Sequence, residues 1–248
     1  MKSILFCTAI LIVTLSACQN AKDPYAATVD FSKPAASNAD FIFSTCQGKT
    51  LLVADAASAQ KVSDNLKAKT GGILSDMGIG NAFALTLQGK TYLCTARHGA
   101  VGLEKYTRTI GADIALIDYN AIPNHDLGTG FQLTSSYEMD TTIRTGDSIF
   151  IKGYLFTKEG ELQTVTIGGK GKIIDKTEYG KNVSFGTNAQ YMQQHELVIK
   201  LGENVELAGL SGSPAFNAQG KVIGVYSGRT IDQDHGTDTY YIRVSLFN

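Results

Sequence analysis

The sequence predicts an all-β protein, built as a sandwich or as a pair of barrels. Three observations carry that expectation. Beyond about residue 75 the apolar stretches are short and bounded by Gly, Asn and Asp, which is the punctuation of strands. Gln88-Gly89-Lys90 and Asn217-Ala218-Gln219-Gly220 have the composition of hairpin turns. No alternation of strand with helix and no fixed-period repeat is present, so a parallel sheet or a solenoid is not expected.

In chain order, strands are expected at Ala82–Leu87, Ser148–Ile151, Gln163–Ile167, Leu197–Ile199 and Lys221–Tyr226, with one short helix over 56–69 ahead of Gly71-Gly72. The chain has 248 residues, 43% of them apolar, which is enough to build a real core and too apolar for low-complexity disorder. Its 22 Lys+Arg stand against 23 Asp+Glu with no long basic run, so no nucleic-acid partner is expected.

The N-terminus reads as an address. Lys2 gives a positive start and Ile4–Leu15 is an apolar run too short for a membrane span of ~20 residues. The run ends at Leu15-Ser16-Ala17-Cys18, which resembles the bacterial lipobox, where the cysteine is lipidated and becomes the mature N-terminus. Residues 1–17 are then a lipoprotein signal peptide, and the protein is exported to the bacterial envelope and held at a membrane through Cys18. The duller alternative is an ordinary secretory signal with an incidental cysteine. Residues 18–40, rich in Ala, Asp, Asn and Ser and holding Pro24 and Pro34, read as a flexible tether, leaving 41–248 as the folded domain. Cys7 leaves with the signal. Cys46 and Cys94 remain, either paired in the oxidising compartment or kept as two buried thiols.

The chemistry concentrates in Gly209-Leu210-Ser211-Gly212-Ser213-Pro214. A serine flanked by glycines can sit on a tight turn with its hydroxyl exposed and neighbouring N–H groups converging, which makes a nucleophile beside an oxyanion hole. The helix and the Gly spacing of an α/β-hydrolase elbow are missing. A base is found in Thr95-Ala96-Arg97-His98, where a strand runs into a turn. His195-Glu196 lacks the second histidine of a zinc helix, His125 reads as a solvent-facing neighbour and His235 as part of a hairpin tip. No Gly-rich phosphate loop is present, and neither cofactor nor metal is expected.

With Gly78-Ile79-Gly80-Asn81-Ala82-Phe83, Thr95-Ala96-Arg97-His98, the serine segment and Gly220-Lys221-Val222-Ile223-Gly224-Val225, the chain resembles the trypsin-like serine peptidases of the chymotrypsin fold over roughly 75–247. The resemblance implies two six-stranded antiparallel β-barrels, divided near 135–145. It implies His98 as base, Ser211 as nucleophile, and the N–H groups of Gly209 and Ser211 as the oxyanion hole. A peptide or protein substrate would pair with Tyr226-Ser227-Gly228 as an added strand. Leu210 departs from the animal digestive enzymes, which carry Asp before the serine, so activation by a salt bridge to a new N-terminus is not expected.

Two aspartates compete as the acid. Asp113, in Asp113-Ile114-Ala115-Leu116, matches the family segment more closely. Asp126 is favoured on chain length: two full strands between base and acid need about 15–20 residues or more, and Asp113 follows His98 by only 15 positions where Asp126 follows by 28. The primary pocket is expected near Asn204-Val205-Glu206, with no preference assigned. The sequence reading is therefore a lipid-anchored, exported serine endopeptidase. The alternative is an inactive relative that binds peptides or envelope components. Cys18→Ser is expected to release the protein from the membrane fraction; retention of this variant on washed membranes would remove the anchor.

Overall fold

The computed structural model describes residues 23, 25–33, 41–46, 50–55, 77–100, 103–122, 125–127, 137–175, 178, 183–184, 195–233 and 238–247. The signal segment, Cys18, the helix expected over 56–69 and His235 lie outside them. The fold is all-β, as the sequence predicts.

Among the described residues, eight strands come before residue 130: β1 (Thr28–Ser32), β2 (Phe41–Cys46), β3 (Thr50–Asp55), β4 (Met77–Leu87), β5 (Lys90–Ala96), β6 (Thr107–Thr109), β7 (Ile114–Ile117) and β8 (His125–Leu127). Seven follow: β9 (Ser148–Phe156), β10 (Leu162–Asp175), β11 (Val183–Ser184), β12 (His195–Leu201), β13 (Pro214–Phe216), β14 (Val222–Asp232) and β15 (Thr239–Leu246). Gln88-Gly89 forms the β4–β5 hairpin turn, with both residues at positive φ.

In the C-terminal lobe, β10-β12-β15-β14-β13-β9 closes back on β10 as a six-stranded barrel, and β11 is added to β14. The N-terminal lobe is a seven-stranded sheet in the order β6-β7-β5-β4-β2-β3-β8, with β3 and β8 parallel at one end. The expectation of two six-stranded antiparallel barrels thus holds strand for strand only in the second lobe.

Two expectations need revision. Part of the stretch read as a tether is built into the second lobe: β1 pairs with β10 from Thr28↔Gly168 to Ser32↔Thr164, and Asp23 accepts a hydrogen bond from Lys200 Nζ at 2.6 Å. The 14-residue β10 makes this possible, because β12 covers its far half from Gly171 to Asp175 and leaves the near half open on that edge. The second revision concerns the cysteines. Cys94 is a free, fully buried thiol. Cys46 pairs with Met77, whereas Cys94 pairs with Phe83, six residues along the same β4. That is about 20 Å at strand rise, while a disulfide needs its Cα atoms within about 7 Å. Burial raises the Cys94 thiol pKa, keeping it protonated.

Period-2 alternation explains how the lobes meet. Ala82 and Ala84 of β4, Leu93 of β5, and Ala115 and Ile117 of β7 point into the first lobe. The intervening Phe83, Leu85, Cys94, Ile114 and Leu116 form a second cluster with Val222, Val225 and Phe247 of the other lobe. Both faces of these strands are buried, which is why they read as continuous apolar runs rather than alternating ones.

On the face of β12 and β15 turned away from the barrel core, Arg243 donates from Nε and Nη2 to the two carboxylate oxygens of Glu196, at 3.0 and 2.8 Å. The two side chains are 1% and 3% exposed. Removing one partner of such a pair strands a charge in the interior. Glu196→Ala is expected to cost about 3–5 kcal/mol, read as a lowered urea midpoint with an unchanged slope.

Candidate active site

His98 sits in the single 3-10 turn Arg97–Gly99 at the end of β5, and Asp113 immediately precedes β7. The register of these two strands brings them together. Ala96 pairs with Ile114, so the next residues outward are Arg97 and Asp113, joined by Arg97 N–H to Asp113 C=O at 3.1 Å. One residue further, the His98 N–H donates to Asp113 Oδ1 at 3.0 Å and Nδ1 lies 2.8 Å from Oδ2. A carboxylate only accepts, so the proton is on Nδ1 and the Nε2 of the neutral ring is left as an acceptor. The Asp113 side chain is fully buried and that of His98 is 17% exposed. Ser227 Oγ of β14 also donates to Asp113 Oδ2, and the Asp113 N–H donates to Ser245 Oγ of β15 at 3.2 Å. Asp113 therefore ties His98 to β14 through its carboxylate and to β15 through its N–H.

This geometry reverses the order of the two acids. The chain-length argument for Asp126 assumed two full strands after the base. The intervening segment instead holds the 3-10 turn Glu104–Tyr106 and the three-residue β6, so fifteen positions suffice to return to His98. The main chain of Asp126 lies in β8 beside Leu52 of β3; its side chain, like that of His125, is outside the described residues.

Ser211 lies on the turn between β12 and β13 and is half-buried. Inside this turn the N–H groups of Leu210, Gly212 and Ser213 donate to Leu207, Tyr226 and Leu210 carbonyls at 3.1, 2.9 and 3.1 Å. Those of Gly209 and Ser211 have no partner among the described residues. Gly209 and Gly212 have φ of +91° and +87°, a region L side chains rarely enter. The Leu210 side chain, between the two open N–H groups, is fully buried in the barrel core and pins the turn from below. Two unpaired donors flanking a serine, held on a fixed backbone, are what stabilisation of a developing oxyanion requires.

The first lobe grips the same turn. The Asn81 N–H donates to Ser211 C=O at 2.6 Å, and Thr95 Oγ1 donates to Asn81 C=O at 2.6 Å. A Cβ on Gly212 would fall 2.0 Å from the Asn81 oxygen and 2.4 Å from Thr95 Oγ1. Thr95 lies three residues before His98, so β5 both supports the grip on the serine turn and carries the His98–Asp113 pair at its end.

Of the residues expected to bind substrate, Tyr226 is committed internally. Its C=O accepts from Gly212 and its N–H donates to Ser213 C=O at 2.8 Å. Its phenol is buried, which raises its pKa. Ser227 is on Asp113, and Gly228 follows the bulge at Tyr226/Gly228 with φ +147°. Arg229 ties this strand to the expected pocket loop: Nη1 donates to Val205 C=O at 2.6 Å and to Asn204 Oδ1. Sequence reasoning gave no role to Asn81, Arg229 or Ser245. The only signal for Asn81 was a polar side chain at the head of an apolar run. His195 is two-thirds exposed with Nδ1 3.5 Å from Asp175, and no metal cluster occurs among the described residues.

A family model described as Peptidase S7, flavivirus NS3 serine protease, matches residues 156–241, the stretch that carries the serine turn. Over that stretch the match supports a serine peptidase of the trypsin-like kind. No curated protein matches it. Among solved structures, it is similar to an inactive serine-to-alanine mutant of Rv3671c from M. tuberculosis H37Rv. The identity there is 16% and the TM-score 0.37, with 67% of this chain and 76% of that one covered. It is also similar to a structure titled for the coupled folding and binding of the intrinsically disordered Sesbania mosaic virus VPg protein. Here the identity is 12% and the TM-score 0.38, over 87% and 91% of the two chains.

The serine turn has no room for one more carbon at Gly212. Gly212→Ala must leave a left-handed conformation and clear two oxygens. A loss of at least about 1–2 kcal/mol is expected from the backbone alone, read as a lower melting temperature with faster amide exchange at Gly212.

Proposed function

We propose that this chain is a lipid-anchored, exported serine endopeptidase that cleaves peptide bonds with Ser211 as nucleophile, His98 as base and Asp113 as the acid that orients it. The observation that carries the reading is the His98 Nδ1–Asp113 Oδ2 contact at 2.8 Å, made beside a glycine-flanked serine turn with two open N–H donors. Asp113 keeps the imidazole proton on Nδ1, so Nε2 can take the Ser211 proton as Oγ attacks the scissile carbonyl. The imidazolium that forms is stabilised by the buried carboxylate and returns the proton to the leaving amine. The N–H groups of Gly209 and Ser211 receive the oxyanion, each at about 3 kcal/mol of barrier. Water then attacks the acyl-enzyme by the same route in reverse. The lipobox-like Leu15-Ser16-Ala17-Cys18 supports an anchor, and the substrate reading is a peptide or protein reachable from the envelope.

A fluorophosphonate probe tests the reading. Wild-type protein is expected to label and Ser211→Ala to remain unlabelled. Labelling that survives Ser211→Ala, or no labelling of wild type, would leave only the peptide-binding alternative. Asp113→Asn is expected to lower turnover of a cleaved peptide by roughly 10⁴-fold through the wrong tautomer, and Asp126→Asn to leave it near wild type.

A further inference from the structure

We infer that Asn81 is a positioning residue, a cross-lobe clamp whose side-chain amide sets the orientation of the Gly209–Ser211 turn. This rests on the peptidase reading above and assigns the device that makes the turn competent without an activation step. Asn81 is 1% exposed and all three of its amide functions are used. Nδ2 donates to Gly209 C=O at 2.8 Å and to Tyr154 C=O at 2.7 Å, and Oδ1 accepts from Tyr154 N–H at 2.7 Å. The assignment of oxygen and nitrogen is forced, because the flipped amide would set an oxygen against two carbonyls.

Strand register shows why a side chain is needed there. β13 pairs with β9 at Ala215↔Ile151 and Phe216↔Phe150. Continued backwards, that register would set Gly212 beside Tyr154. The chain instead leaves the sheet at Pro214 to form the serine turn, and Gly212 N–H goes to Tyr226. Asn81 takes the vacated place. It pairs with Tyr154 through one acceptor and one donor, as a neighbouring strand would, and spends its second N–H on Gly209. Its main chain meanwhile holds Ser211 C=O and receives Thr95 Oγ1. One residue thus fixes the carbonyls on both sides of Leu210, and with them the Gly209–Leu210 and Ser211–Gly212 peptide planes, between which lies the plane that carries the open Ser211 N–H.

Such a clamp acts on the transition state and leaves ground-state binding and the base alone. In Asn81→Asp the volume and the acceptor for Tyr154 are retained, while an oxygen replaces the nitrogen facing Gly209 and Tyr154 carbonyls. Asn81→Ala removes the contact outright. Both are to be compared with wild type for fluorophosphonate labelling, for kcat and KM on a cleaved peptide, and for melting temperature; should the alanine variant fail to fold, the isosteric one carries the test. The labelling rate constant and kcat are expected to fall about 10²–10³-fold, the scale of one lost oxyanion donor. KM should change less than about threefold, and the pH profile of kcat/KM, which reports the His98–Asp113 pair, should stay in place. Variants that label like wild type, whatever their melting temperature, would overturn the clamp and leave the peptidase reading standing. So would a rise in KM at constant kcat or a displaced pH profile. A wild type that does not label would end the peptidase reading and the clamp with it.

Discussion

One buried carboxylate constrains the molecule. Asp113 has no exposure, and a carboxylate so placed is costly unless every oxygen is answered. Its answers come from two lobes: the main chain and ring of His98 on one side, Ser227 on the other, with its own N–H on Ser245. His98 reaches both oxygens from the first lobe, and Ser227 adds a second donor to Oδ2 from the other. Closing the lobe interface brings that donor in and buries the group, and the apolar cluster of Phe83, Leu85, Ile114 and Leu116 against Val222 and Val225 supplies the burial that makes closing favourable.

That closure places the chemistry. β5 and β7 end together, so their ends carry His98 and Asp113 as immediate neighbours, and the strands that hold Ser227 and Ser245 flank the serine turn through Tyr226. Ser211 is gripped from both sides: from the barrel by the buried Leu210, and from the first lobe by Asn81. A loop pinned by an apolar side chain and by neutral hydrogen bonds needs no charge to form in its pocket. The sequence departure at Leu210, read as the loss of a salt bridge, thus has a positive counterpart in packing.

What could be read in the chain follows the reach of each signal. The strands and the segments around His98 and Ser211 were legible because glycine, turn chemistry and apolar runs act within a few residues. The choice between Asp113 and Asp126 failed because it turned on how much structure fits between base and acid. A three-residue strand and one short 3-10 turn are too brief to leave a pattern in Gly99–Ala112. The choice between a Cys46–Cys94 bond and two thiols stayed open for a related reason: cysteine counting carries no register, and register sets their partners six residues apart along β4, leaving Cys94 a free thiol. Asn81 was quoted as part of a motif and given no task, since its partners lie 73 and 128 positions away.

The N-terminal strand shows how a weak local signal is overridden. Thr28-Val29-Asp30-Phe31-Ser32 has few apolar residues and a nearly all-exposed pattern, so composition alone reads it as linker. It is ordered because β10 is longer than the strand beside it and offers five residues of unpaired edge, which a free barrel would expose to pairing with other chains. Covering that edge with the chain's own N-terminal segment has a consequence for anchoring. From Asp23 onward the segment is already fastened to the barrel by Lys200, and only Lys22 and the four residues before it separate that point from the start of the proposed lipid. Five residues span at most about 17 Å. A chain lipidated at Cys18 therefore keeps its C-terminal barrel close to the membrane, with the β1–β10 edge on the near side, instead of swinging on the long leash that the sequence suggests.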